Sequence, residues 1–137
     1  MRIQLPKKRL LLSAALLIGL HASAADLYML PQGAGEKNGQ NWENALSYAA
    51  AENSLEQAWQ QLQPGDTLYL GGGEYEARGM QLSASASAAN PITLKGVDRK
   101  GQRPVFIGDW EKEDKASGFT LIQLASESKG WGFENFE

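Results

Sequence analysis

The sequence predicts a mainly β domain in which short parallel strands stack as a solenoid behind one capping helix. Six β-type runs recur between residues 67 and 133 at steps of about 12 to 15 residues, and one amphipathic helical pattern precedes them. The joints between the runs are long and irregular, and only Gly71–Gly73 suggests a hairpin turn. Because an antiparallel sandwich or barrel calls for compact hairpin turns, the parallel solenoid is favoured and an antiparallel β-domain is the alternative.

The strands are predicted from short apolar and β-branched runs that are bounded by turn residues. The first, Asp26–Leu30, precedes the helix and is ended by Pro31, which cannot donate to a ladder. Those after the helix cover residues 67–70, 80–82, 92–94, 105–107, 119–124 and 131–133. Taking every second run gives a repeat of about 25 residues, which suits one solenoid coil.

The helix is predicted from apolar residues that share one face, namely Leu55, Ala58, Trp59 and Leu62. The pairs Asn53 with Glu56 and Ser54 with Gln57 each suit a capping box. The turn residues 64–66 end the helix after about ten residues. Because the first coil of a solenoid exposes its core, we expect this one-sided helix to cap that end. Residues 42–51 carry only a weak helical pattern.

The N-terminus has the pattern of an export signal. Residues 1–9 carry four positive charges, residues 10–20 are mostly apolar, and Ala22-Ser23-Ala24 supplies small residues for a peptidase. A membrane-spanning helix needs roughly 20 apolar residues, about twice this run. We therefore predict a signal-peptide helix over 1–24, cut between Ala24 and Ala25, with a cut after Ala25 as the alternative. The mature chain, 25–137, is then one secreted or periplasmic domain with no membrane attachment.

Removing the signal changes the charge and the chemistry of the chain. It takes four of the 13 Lys and Arg residues and none of the 16 Asp and Glu residues, so the mature net charge is −7. An acidic surface argues against nucleic acid, whose binding requires neutralised phosphates. The only histidine, His21, is lost with the signal, and the chain has no cysteine. Histidine-dependent triads and His/Cys zinc sites are therefore excluded.

The mature chain resembles the N-terminal cap and first coils of secreted right-handed parallel β-helix proteins, the pectate-lyase-like superfamily. The resemblance covers nearly all of the mature chain and is carried by the order of these segments: Trp42 with Asn44-Ala45, Leu55 with Ala58, and residues 64–70, 72–75, 90–96 and 103–105. It implies an exported carbohydrate-directed protein similar to polysaccharide lyases, and a non-catalytic surface or adhesion protein is the alternative. The family's catalytic coils come well after its cap, so this chain is expected to be an inactive, truncated N-terminal portion.

Two clusters are candidates for saccharide contacts. Tyr75 is a candidate stacking platform beside Glu74, Glu76 and Arg78, with core packing as the alternative. Arg99 and Arg103, which lie near Asp98 and Lys100, are candidates to hold a uronate carboxylate, with a solvated turn as the alternative. The chain has four tryptophans, and Trp110 is a further candidate contact, whereas cap and core packing explain Trp42 and Trp59 better.

Two acidic features raise the question of a bound ion. The densest acidic group is a candidate calcium site, and its members are Asp109, Glu111, Glu113 and Asp114. Its spacing matches no EF-hand loop, so an ordinary charged loop is the alternative. Asp66 is interpreted as an Asx turn, with an ion ligand as the alternative. Calcium and a polysaccharide are therefore the expected ligands, and the open last coil is expected to self-associate through exposed residues such as Trp131 and Phe133.

Overall fold

The computed structural model describes residues 24–48, 54–77, 79–108 and 122–136. They form nine strands, one α-helix and one short 3₁₀ helix over Trp42–Asn44. The helix is α1 (Ser54–Gln60). The strands are β1 (Asp26–Leu30), β2 (Leu46–Ser47), β3 (Thr67–Gly71), β4 (Gly73–Glu76), β5 (Met80–Leu82), β6 (Ile92–Val97), β7 (Pro104–Ile107), β8 (Ile122–Leu124) and β9 (Trp131–Glu134).

The protein is mainly β, and its strands lie in three parallel sheets. One sheet has the order β2-β1-β3-β6-β9, and two smaller sheets pair β4 with β7 and β5 with β8. Every pairing between described strands is parallel. The alternative, an antiparallel β-domain, is therefore wrong.

The sequence separation between paired residues differs among the three sheets. Among the pairs β3–β6, β4–β7 and β5–β8, one from each sheet, it is shortest for the first, in which Thr67 pairs with Thr93. It is longer where Gly73 pairs with Pro104, and longest where Met80 pairs with Ile122. The connections thus differ in length although the ladders remain in register.

The predicted strands agree with the structure in position. All seven coincide with described strands, although residues 119–121 of one prediction lie outside the described residues. The sequence missed β2 and β4. Gly71–Gly73 is a bend rather than a hairpin turn, because β3 and β4 belong to different sheets.

The core is formed by alternate residues of the strands, as β3 shows. In β3, Leu68 and Leu70 are fully buried, whereas Thr67 and Tyr69 remain partly exposed. Leu68 pairs in register with the buried Leu94 of β6. Stacked apolar residues of this kind bury the inner face of the sheet and leave its outer face for polar and aromatic groups.

The helix prediction is confirmed, with a shorter span. Residues after Gln60 continue only as a turn, in which Gln61 and Leu62 donate to Ala58 and Trp59. The four residues predicted to face inward are all buried. The carboxylate of Glu56 accepts from the backbone N–H of Gln81 at 2.6 Å, and Asn53, its predicted capping partner, lies outside the described residues.

The segment before α1 differs from the weak helical prediction. Only Trp42–Asn44 form a helical turn, which Asn41 caps by accepting from the backbone N–H of Asn44. Leu46–Ser47 then pair with β1, and residues 49–53 lie outside the described residues. In the part of the chain that the structure describes, no helix is long and apolar enough to cross a membrane.

Candidate functional site

An aromatic strip lies on the outer face of the largest sheet and consists of Trp42, Tyr28 and Tyr69. Tyr28 and Tyr69 are register partners on β1 and β3, and their rings stack with centroids 5.2 Å apart. Trp42 meets Tyr28 edge-on, with centroids 4.9 Å apart. All three side chains are partly exposed, so their rings are accessible to a ligand. Their contacts with one another hold the rings in place.

Cationic groups border the aromatic strip. The guanidinium of Arg99 lies over the Trp42 ring, 4.4 Å from its centroid. Lys95 is the register partner of Tyr69 on β6 and forms an ion pair with Glu134 of β9 at 2.8 Å. The hydrogen bond to Glu134 raises the pKa of Lys95, so this ammonium remains charged over the physiological range. The outer face therefore combines aromatic rings with positive charge.

Arg99 owes its position to a tight turn between β6 and β7. Arg99 and Gln102 exchange backbone hydrogen bonds at 2.9 and 3.0 Å. The two residues between them, Lys100 and Gly101, have positive φ angles of 52° and 75°, as a type I′ turn requires. Arg103 forms an exposed pair with Asp98 at 3.7 Å. The two predicted arginines thus share a turn, but only Arg99 contacts the strip.

A cleft of about 480 Å³ adjoins the strip, and we call it the Trp42 cleft. It lies between the loop after β1 and the turn that carries Arg99. Its polar lining includes Gln32, Glu43, Lys100 and Gln102. The cleft shares Trp42 with the strip and is also lined by Arg99, which lies over the Trp42 ring. The cleft therefore adds hydrogen-bonding groups beside the exposed rings.

Tyr75 packs in the core and presents no ring to a saccharide. It is fully buried, and its hydroxyl donates to the backbone oxygen of Gly71 at 2.6 Å. Its ring contacts Tyr48 and Phe106. Tyr75 therefore fits the alternative, core packing, and not the expected saccharide contact. Its position in β4 faces inward, which places the ring beneath the sheet.

The two glutamates beside Tyr75 lie at the surface, unlike its ring. Glu74 and Glu76 are exposed and line a second cleft of about 380 Å³ with Tyr48. Arg78 lies outside the described residues. The structure thus keeps two of the predicted acidic residues at the surface and separates them from the buried ring.

The two buried phenols, those of Tyr48 and Tyr75, should ionise only at unusually high pH. Burial raises the pKa of Tyr48 from 10.0 to about 12, and Glu76 and Glu56 add to this shift. Burial also raises the pKa of Tyr75, with a further contribution from Tyr48. Because the folded state favours the neutral phenol, the stability it contributes is complete below pH 10 and is lost as the pH rises through about 12.

We therefore expect these phenols to ionise only as the circular dichroism of the folded chain disappears. Ultraviolet absorbance of phenolate measures the ionisation, and the urea-unfolded chain, in which tyrosines titrate near pH 10, is the control. If all four tyrosines titrated near pH 10 while the chain stayed folded, the buried environment of Tyr48 and Tyr75 would be refuted.

The side chain of Asp66 makes one local contact, which is not the predicted Asx turn, and a second contact that spans 41 residues. One carboxylate oxygen accepts from the backbone N–H of Gln63 at 2.7 Å. This contact is local, as predicted, but it reaches three residues back, whereas an Asx turn accepts from the N–H two residues further on. The other carboxylate oxygen accepts from the backbone N–H of Ala25, also at 2.7 Å. The side chain is 5% exposed. Asp66 therefore ties Ala25, which directly precedes β1, to the turn before β3.

Several predicted site residues lie outside the described residues, namely Asp109, Trp110, Glu111, Glu113 and Asp114. The calcium prediction and the Trp110 contact thus stay predictions. Among the residues that the structure describes, no group of three or more His, Cys, Asp or Glu side chains is arranged to hold a metal ion.

The tryptophans divide between core and surface. Trp59 is 1% exposed, as predicted for a core residue. Trp42, for which cap or core packing was predicted, is only partly buried, and its ring packs against Tyr28 and Arg99 on the outer face instead of in the core. On β9, the last described strand of its sheet, Trp131 and Phe133 are 39% and 36% exposed. Self-association through this strand stays a prediction.

Sequence reasoning missed Tyr28 and Tyr69 as site residues. Each lies at an outward-facing position of a predicted strand. An aromatic side chain at such a position indicates a surface function and could have been used to find the site. What the sequence could not supply is the register that makes them partners. No protein-family model, curated protein or solved structure matches the chain.

Proposed function

We propose that this chain belongs to an exported carbohydrate-directed protein and binds an acidic polysaccharide on its outer face. The observation that carries the proposal is the aromatic strip with Arg99 above Trp42. Sugar rings have apolar C–H faces and hydroxylated edges, which suit aromatic rings beside polar groups. A uronate adds a carboxylate, for which a guanidinium is a bidentate partner.

We further propose that the three parallel sheets are the faces of a right-handed parallel β-helix, as in the pectate-lyase-like superfamily that the sequence resembles. The order of the strands supports this fold. β3, β4 and β5 lie in three different sheets, and β6, β7 and β8 return to those sheets in the same order. The handedness is taken from the resemblance.

On this proposal, residues 25–62 cap the first coil, and contacts to all three of its strands support that role. β1 pairs with β3. The hydroxyl of Tyr48 donates to the backbone oxygen of Glu76 in β4, and Glu56 of α1 accepts from Gln81 in β5. Each contact satisfies a backbone group or pairs a strand that would otherwise present an open edge.

The resemblance makes a polysaccharide lyase the expected parent of this chain, with catalytic residues on other coils. The strip and the Trp42 cleft would then serve as a distal substrate-binding surface. A non-catalytic binding protein would use the same surface. Ultraviolet absorbance of unsaturated products from pectate, alginate and chondroitin, with calcium present, separates the two for any longer parent chain.

The binding proposal is tested with the exported chain and soluble pectate, alginate and chondroitin in a calorimetric titration. We expect Trp42→Ala and Arg99→Gln each to weaken binding of the preferred polymer by about tenfold, since one stacking or charge-assisted contact is worth about 1 kcal/mol or more. Trp131→Ala is the matched control, because it removes an exposed indole from β9.

Urea unfolding of each variant separates lost contacts from lost structure. If wild type binds neutral dextran, the Arg99→Gln variant should bind it equally well, because dextran has no carboxylate for Arg99 to contact. Equal affinity of wild type, Trp42→Ala and Arg99→Gln for every acidic polymer would refute the strip as the binding surface.

A further inference from the structure

The buried carboxylate of Asp66 meets the chain at the position where processing is proposed to cut it. Its Oδ1 accepts from the backbone nitrogen of Ala25 at 2.7 Å. Ala25 is exposed and directly precedes β1. Its carbonyl oxygen accepts from the backbone N–H of Thr67 at 3.1 Å. The nitrogen of Ala25 is therefore held against Asp66 by the same pairing that forms the first ladder.

Asp66 is itself fixed by its backbone. Its N–H donates to Gln63 at 2.9 Å, and its carbonyl oxygen accepts from the N–H of Thr93 at 3.0 Å. Its Oδ2 accepts from Gln63 at 2.7 Å. The carboxylate is thus held in position before any ligand arrives, which reduces the entropy that binding a charged group would otherwise cost.

Cleavage between Ala24 and Ala25 changes the chemistry of this contact. Water adds across the peptide bond, so that Ala24 gains a carboxylate and the nitrogen of Ala25 becomes an α-amine, which takes up a proton at neutral pH. The atom that donates to Asp66 then carries a positive charge. A hydrogen bond whose only charged partner is the carboxylate becomes an ion pair between opposite charges, and their attraction is strengthened because Asp66 is buried.

We propose that Asp66 is the binding site for the mature N-terminus and that removal of the signal completes an Ala25–Asp66 ion pair that stabilises the exported fold. This inference rests on the export proposal. It also distinguishes the two predicted cuts, because a cut after Ala25 would remove the bonded nitrogen. The new terminus at Asp26 would then begin one residue further along the chain.

The test begins with export of the full chain from a bacterial host and an intact mass of the product. A mass that corresponds to residues 25–137 is expected. The α-amine of this product is then labelled with an amine-reactive reagent at neutral pH. We expect labelling of wild type to be about tenfold slower than labelling of Asp66→Asn, because the ion pair holds the amine protonated.

Two further variants make the test specific. Asp26→Asn removes an exposed carboxylate beside the same terminus and should label as slowly as wild type. Inserting one glycine between Ala24 and Ala25 moves the α-amine away while retaining Asp66 and the Ala25 amide. This insertion should label quickly and raise the unfolding equilibrium constant in urea by about tenfold, and it keeps the test valid if Asp66→Asn does not fold.

The outcomes separate the two proposals. An uncut product overturns the export proposal together with this inference, whereas a product cut after Ala25 or at another position overturns this inference alone. A product that begins at Ala25 but labels at the same rate in wild type and in the insertion variant overturns the inference alone. Equal unfolding constants for those two proteins would overturn the stabilising role.

Discussion

Replacing Trp59 by alanine is expected to lower the free energy of unfolding by about 3–5 kcal/mol. The indole is 1% exposed, and its N–H donates to the backbone oxygen of Ser83 at 2.8 Å. Truncation therefore leaves a large cavity between α1 and β5 and an unpaired carbonyl at the end of β5. Urea unfolding monitored by circular dichroism measures the loss.

The matched control for this substitution is Trp131→Ala, which removes the same side chain from a position that is 39% exposed. We expect that control to cost at most about 1 kcal/mol. A second variant, Trp59→Phe, retains most of the volume but loses the bond to Ser83, and it should fall between the two. Equal costs for Trp59→Ala and Trp131→Ala would contradict the position assigned to α1.

Replacing Gly72 by alanine is expected to lower the free energy of unfolding by about 1–3 kcal/mol and to weaken polysaccharide binding as well. An added Cβ would overlap the carbonyl oxygen of Gln102, a backbone atom with little freedom to yield. The turn that contains Gln102 would have to move, and Arg99 would move with it away from Trp42. The added methyl group would thus perturb both the bend between β3 and β4 and the proposed binding surface.

The control for this second substitution is Gly132→Ala on β9. A Cβ there would meet its nearest neighbour, the hydroxyl oxygen of Thr93, only at 3.9 Å. We expect a change within about 0.5 kcal/mol and no change in binding. Urea unfolding and the pectate titration measure both effects. If Gly72→Ala lost stability but kept full affinity, the turn would not be what positions Arg99.

The strands and the helix could be predicted because each is encoded by a local pattern. Leu68 and Leu70 alternate with Thr67 and Tyr69, and this alternation survives unchanged in β3. β4 was missed because Gly73 and the two glutamates suggest a turn. The ladder to β7 supplies backbone hydrogen bonds that override that weak local preference.

The candidate site could be predicted only in part, because it depends on contacts between distant residues. Arg99 was identified from its charge cluster, but its partner Trp42 lies far earlier in the chain and was assigned to cap and core packing. Tyr28 and Tyr69 meet only through the register of β1 on β3. The contact between Asp66 and Ala25 has the same origin, since no local pattern links residues 41 positions apart.

The unequal spacing of paired residues bears on how such a molecule could be remodelled. The pairs β3–β6, β4–β7 and β5–β8, one from each sheet, have different separations along the chain, yet each ladder is continuous. The stacked strands therefore do not dictate the length of the corners. The turn at residues 98–103 that carries Arg99 is one such corner. Exchanging it for loops of other lengths would vary ligand specificity on an unchanged scaffold, much as grafted loops diversify an engineered binding protein.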